Sequence, residues 1–305
     1  MKTLGTIITI GLVVLSMNGV VAGEQTKQQT SIDARRDAFQ KAWAAIGVKD
    51  YQAPEVRQHT ATDITSYPAV EAGQGAAADA THFYAIVNYV IGKYDRETGL
   101  LTSRWVGDRG GLIGHLNSCL LDGSDLMCAN SNHPNLPMAS SIEVFDTKTM
   151  THKSSKSLGI TEEGSLVWFD HYQGGWIAGF ANYDDETGLP YKDHTYAGIV
   201  LFDKEWRRRG GYALPGSILA KMAPQAASGG SIGPDGRLYV MGHDLPEMYV
   251  LEFPLMGPTM MHVATITVPS EGQAFAFDPD EPQRVWAISR PRREVVTYVI
   301  PELVP

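Results

Sequence analysis

Val90-Ile91-Gly92-Lys93-Tyr94-Asp95, Ile142-Glu143-Val144-Phe145-Asp146 and Gly198-Ile199-Val200-Leu201-Phe202-Asp203 are copies of one pattern, an apolar strand ending in an aromatic residue and an acid. Two degenerate copies follow, at Met248 to Phe253 and Val295 to Ile300. A second apolar strand precedes each copy: His82 to Val87, Leu126 to Asn130, Trp176 to Phe180, Leu238 to Gly242 and Val285 to Ser289. Across a Gly- or Asp-rich turn, such as Asp122-Gly123-Ser124-Asp125 or Pro234-Asp235-Gly236, lies a strand earlier still. A period of roughly 45 to 60 residues is a propeller value. The chain therefore reads as an all-β, five-bladed β-propeller of four-stranded antiparallel blades.

Within a blade the strands are a to d from the axis outward, and the aromatic-acid ending belongs to strand c. Strand d is legible at Thr102 to Val106, Lys153 to Leu158, Arg208 to Leu214 and His262 to Val268, but the fifth blade has none. Glu55 to Ile64 alternates and stands just before the first blade, so it is the expected donor. Pairing the two ends of the repeat removes the open sheet edges, which gives the closure a physical motive.

The start of the chain is different in kind. Residues 1 to 22 carry Lys2 as their only charge, then an apolar run, and end in Val20-Val21-Ala22, the pattern of a signal peptide. The division expected is a signal peptide at 1–22, an extension at 23–54 and the propeller at 55–305. Within the extension, 23–30 are polar and read as loose, and Ser31 caps one short helix, 32–46, whose Ile32, Phe39, Trp43 and Ile46 form an apolar stripe suited to covering part of the domain. Export to a periplasmic or extracellular space follows, with no stable membrane insertion after cleavage.

The net charge is −9, and −10 without residues 1–22, a field that repels nucleic acid. The two cysteines, Cys119 and Cys128, flank the turn Asp122-Gly123-Ser124-Asp125. A two-residue loop at Gly123-Ser124 sets them opposite each other in the a–b hairpin of the second blade, and in an oxidising compartment they pair as a disulfide.

Loops joining b to c, and d to the next a, open on one face of a propeller. The b–c loops bring Asn88, Asn132, His133, Asn182, Tyr183, His243, Asp244, and Arg290 with Arg292 and Arg293. The d–a loops bring Gln74, His115, Asn117, Glu163, Gln225, Glu271 and Gln273. The expected ligand-binding set is Gln74, Asn88, Asn117, Asn132, His133, Asn182, Tyr183, Gln273 and Arg290. Glu163, His243 and Asp244 are the candidate catalytic groups. A single divalent metal ion is the cofactor that His115, His133, His243 and Glu163 would hold, acting as a Lewis acid. Asp95, Asp146 and Asp203 lie at the opposite end and read as turn residues accepting backbone donors. No G-x-S-x-G elbow, HExxH or βαβ-borne glycine loop is present.

These residues point to an exported propeller that binds a small polar or anionic molecule and hydrolyses or isomerises it with metal assistance. A noncatalytic binding or protein-interaction module is the alternative, with the Asn182 to Tyr196 loop and the helix as surfaces for a protein partner. The architecture is comparable to that of secreted five-bladed glycoside hydrolases and lactonase-type propellers, though the comparison extends to no single motif. The glycosidase version would use Glu163 as acid and Glu271 or Asp244 as base. Gln74 stands where that pattern calls for a carboxylate.

Overall fold

The computed structural model describes residues 14–47 and 52–303. The chain divides into two units, Met1–Ala53 and Pro54–Pro305. In the second, four-stranded antiparallel sheets repeat around a ring as a five-bladed β-propeller. Blade 1 is Gly75–Ala78, His82–Val87, Val90–Asp95 and Leu101–Val106; blade 2 is His115–Asp122, Asp125–Ser131, Ala139–Asp146 and Thr151–Ile160. Blade 3 is Ser165–Tyr172, Gly175–Ala181, Gly198–Phe202 and Arg208–Ala213. Blade 4 begins Gly229–Ile232, Leu238–Met241, Glu247–Glu252 and Met261–Thr267, and blade 5 begins Ala276–Phe277, Arg284–Ser289 and Glu294–Val299.

The ring closes through the N-terminal segment, but not over the residues expected. Thr62–Pro68 is the outer strand of blade 5, antiparallel to Glu294–Val299 with Tyr67 opposite Val295. Arg57–Thr60, the first part of the expected donor, pairs instead in parallel with Met261–Thr267 as a fifth strand of blade 4. Ala61, 6% exposed, is the crossing point between the blades. Alternation alone could not divide Glu55 to Ile64, because both halves lie on outer edges and carry the same polar pattern.

The seam between blades 5 and 1 is aromatic. Phe83 stacks on Tyr94 and on Trp286, with ring centroids 5.0 and 5.4 Å apart, and Tyr67 lies 5.0 Å from Phe83. Buried Asp278 ties the seam by accepting from Trp286 Nε1 at 2.7 Å and from Arg96 of blade 1. Blades 3 and 4 meet on Trp168, whose indole occupies the space that a β-carbon on Gly179 or Gly230 would fill. A short helix not anticipated from sequence, Gly216–Met222, fills the link between these blades and buries Ile218, Leu219 and Met222 in their shared core. At seven residues it is too short for a recognisable apolar period.

The N-terminal helix spans Val14–Ile46, far longer than 32–46, so Ser31 lies inside it and does not cap it. The 23–30 stretch is helical because Glu24, Gln25, Lys27, Gln28 and Gln29 are strong helix formers. Within this unit Ile32, Phe39, Trp43 and Ile46 are exposed. Residues 1–13 of the expected signal segment lie outside the described residues. No described helix is long and apolar enough to cross a membrane.

Cys119 and Cys128 form a disulfide in the register expected, with Asp122 opposite Asp125 and α-carbons 4.0 Å apart. Both cysteines are buried between blades 1 and 2. The cross-link spans nine positions, and chain entropy for so short a loop gives about 2–3 kcal/mol. Replacing both cysteines by alanine is expected to lower the unfolding free energy by about that amount in urea titrations. An unchanged midpoint, or two alkylatable thiols in the native protein, would contradict the assignment.

Candidate functional site

All five blades contribute to one mouth. Val87 pairs with Val90, so Asn88 and Tyr89 form a two-residue turn, with Asn88 at φ 45°, a conformation asparagine tolerates. The Asn88 backbone carbonyl accepts from Leu116 N at 2.7 Å, which anchors blade 1 to blade 2. Asn88 Oδ1 accepts from His115 Nδ1 at 3.1 Å and from Gln74 Nε2 at 3.4 Å. His115 therefore carries its proton on Nδ1 and leaves Nε2 as a lone pair.

From His115 a run of rings crosses into blade 3. His115 and His133 have centroids 4.8 Å apart, and His133 and Tyr183 5.3 Å. Burial, with His133 and Arg290 adding to it, pushes the His115 pKa down to about 4. Burial lowers that of His133 as well. Both imidazoles are neutral at neutral pH. The Tyr183 phenol is pushed up to about 12 by burial and by Asp185.

Blades 4 and 5 supply the charged part. Arg290 Nη1 donates to His243 Nε2 at 3.1 Å, so His243 carries its proton on Nδ1 and donates it to Asp244 Oδ1 at 2.7 Å. The guanidinium also donates to the Gly73 carbonyl at 3.0 Å and, at 3.5 Å, to Gln74 Oε1. It is partly buried, and among the described residues no carboxylate lies within 4.0 Å of it. Burial pulls its pKa down, opposed by the field of Asp244. Arg290 is thus a half-buried cation whose close partners are all neutral. The other arginines of that loop are committed elsewhere, Arg292 to Glu271 and Glu294, and Arg293 to the Ala72 carbonyl.

The remaining expected residues are placed otherwise. Asn132 ties its own loop together, donating to the Pro137 carbonyl and accepting from Ala139 N, each at 2.9 Å. Asn182 is fully buried and donates to the Glu163 and Tyr196 carbonyls. Asn117 is buried with its Nδ2 unpartnered, and buried Gln273, at φ 72°, donates to the His243 carbonyl at 3.1 Å. Asn117, Asn182 and Gln273 are thus buried supports, and Asn132 holds its own loop.

Glu163 does not join the histidines, because its carboxylate accepts from Arg208 Nε at 2.8 Å, on the outer strand of blade 3. The four groups expected to hold one ion do not converge. Among the described residues, the one group of three or more metal-ligand side chains with atoms within 4.8 Å of one another is Asp184, Asp193 and His194. Those residues fold the long blade 3 loop, Asp184 accepting from both N and Nδ1 of His194 at 2.8 Å. Nor do Glu163, Glu271 and Asp244 leave a facing acid and base, since each already holds a different partner.

One cluster missed by sequence reading is Glu143, His152 and Ser155 on the outer strands of blade 2. Glu143 Oε2 and Ser155 Oγ both reach His152 Nε2, at 2.8 and 3.3 Å. A proton relay needs the two partners on opposite ring nitrogens, so this cluster serves to satisfy the buried Glu143 carboxylate with hydrogen bonds from Ser141, His152 and Ser155.

No family profile matches this chain, and no curated protein matches it in sequence. Among solved structures it is similar to a luciferin-regenerating enzyme, at 10% identity and a TM-score of 0.47, over 79% of this chain and 96% of the other. It is similar to a gluconolactonase from Xanthomonas campestris at 12% identity and a TM-score of 0.45, over 74% and 71% of the two chains. A third likeness, to the WD40 repeats of RRP9, has 8% identity and a TM-score of 0.42, over 74% and 79%. These likenesses concern general architecture alone.

Proposed function

We propose that the mouth binds a small molecule through a carboxylate or phosphate group held by Arg290, and that His243 acts as a general base on it. The observation that carries this reading is the half-buried guanidinium with no carboxylate within 4.0 Å among the described residues, Asp244 acting on it only from farther off. A buried charge left unpaired is costly, and an incoming anion supplies the missing partner through the paired donors of the guanidinium. The neutral state of His115 and His133 leaves Arg290 as the positive pole of the site at neutral pH.

Anion binding and base activation are linked in this arrangement. In the structure His243 Nε2 accepts from Arg290 Nη1. An anion that takes up Nη1 frees the Nε2 lone pair, while Asp244 holds the ring and stabilises the imidazolium that forms. The chemistry that fits is hydrolysis of an ester or lactone in the bound anion. A water proton passes to His243 Nε2 as its oxygen adds to the carbonyl carbon. The C–O bond then breaks, and the leaving oxygen recovers the proton from His243.

Arg290→Gln is expected to weaken binding of carboxylate or phosphate ligands by about 10- to 100-fold in calorimetry. In a screen of carboxylate-bearing lactones and esters, His243→Gln should lower kcat by about 10²–10⁴-fold with KM little changed. Absence of stabilisation by any small anion, or unimpaired binding by Arg290→Gln, would overturn the reading.

The histidine shifts predict a pH dependence. The folded His115 pKa lies below the ordinary 6.5, so between pH 6.5 and about 4 the unfolded chain binds a proton that the fold does not. Its contribution is complete above pH 6.5 and is lost as pH falls toward 4, by about 3 kcal/mol at the limit. His115→Asn, which retains a donor for Asn88, should show a shallower loss of stability over that window in denaturant titrations. An identical pH slope for variant and parent would contradict a buried neutral His115.

A further inference from the structure

We infer that the anionic group recognised at the mouth is attached to a planar unsaturated ring, which lies against the wall formed by His115, His133 and Tyr183. This inference rests on the anion-binding reading above and adds the class of molecule. The first ground is the division of the mouth. Blades 4 and 5 supply polar and charged groups, Arg290, His243 and Asp244. Blades 2 and 3 supply three rings in sequence, at 4.8 and 5.3 Å. The charge of Arg290 reaches both His115 and Tyr183, so a molecule held at Arg290 lies within range of this wall.

The second ground is what these rings do not do. His133 and Tyr183 both keep some exposure as residues. His133 Nδ1 is buried without a hydrogen-bond partner, so this ring is not fixed in place by a polar contact at that nitrogen. The rings meet at interplanar angles of 44° and 58°, tilted rather than stacked flat. An aliphatic ligand would gain only area from such a wall. A flat π-system gains quadrupole complementarity as well, from both offset faces and edges. Asp185, whose field reaches both His133 and Tyr183, disfavours a second anionic group at that end. The molecule inferred thus carries its charge at one end and its ring at the other.

Three carboxylates separate the contributions: acetate, cyclohexanecarboxylate and benzoate, the last two being similar in size but different in planarity. Titration calorimetry on the full chain at neutral pH should give benzoate a dissociation constant about tenfold below that of cyclohexanecarboxylate. Tyr183→Leu should abolish that difference while both ligands still bind. The comparison on the unaltered protein stands even if the variant folds poorly. Equal affinity for benzoate and cyclohexanecarboxylate overturns the planar-ring inference and leaves the anion reading intact. If none of the three binds, or if Arg290→Gln binds benzoate as the parent does, the anion reading fails and the inference with it.

Discussion

The pairing of Thr62–Pro68 with Glu294–Val299 is the contact on which the rest depends. It joins residues more than two hundred positions apart, and with it blades 5 and 1 become neighbours. Closing the ring brings the Gly73 carbonyl and Gln74, just ahead of blade 1, against Arg290 at the end of the second strand of blade 5. It also assembles the seam of Tyr67, Phe83, Tyr94 and Trp286 around Asp278. Arg284, paired with Asp63 at 2.5 Å, fixes the strand from the side. The same segment continues back onto blade 4 through Arg57–Thr60, so one stretch of chain braces two blades. Fold stability and site geometry therefore share a single closure.

Electrostatics at the mouth follow from burial more than from net charge. The chain carries −9 overall, yet the group placed without a close counter-ion at the mouth is a cation. The acids nearest in sequence to the mouth are engaged: Glu163 with Arg208, Glu271 with Arg292 and Asp244 with His243. Neutral imidazoles complete the lining, because a second positive charge in the same partly dry space would raise the cost of Arg290 itself. On the proposed reading, one negative charge would complete this arrangement.

The blades were legible because strand b and strand c carry long apolar runs ending in fixed turn chemistry, and these recur five times. Cys119 and Cys128 were legible for the same reason, since a two-residue turn leaves one register. Outer strands were less so: Arg57–Thr60 and Thr62–Pro68 are both polar edge segments, and which blade each joins depends on tertiary position. The site was half legible. Topology predicts which loops meet, and Gln74, Asn88, His115, His133, Tyr183, His243 and Arg290 do meet. It does not predict rotamers, so Glu163, Asn132 and two of three arginines were assigned to a mouth that their hydrogen bonds turn them away from. The pairing of His243 with Arg290 joins side chains 47 positions apart in sequence and left no local signal.

The central claim is that Arg290 awaits an anion and that His243 responds to its arrival. Side-chain ¹⁵N–¹H spectroscopy of Arg290, assigned by its disappearance in Arg290→Gln, tests this directly during a carboxylate titration at neutral pH. The account predicts that the Arg290 Nε–H resonance shifts saturably and that the His243 ring resonances move with the same midpoint, as Nε2 loses its arginine donor. A folded protein whose Arg290 resonance stays in place throughout the titration would contradict it.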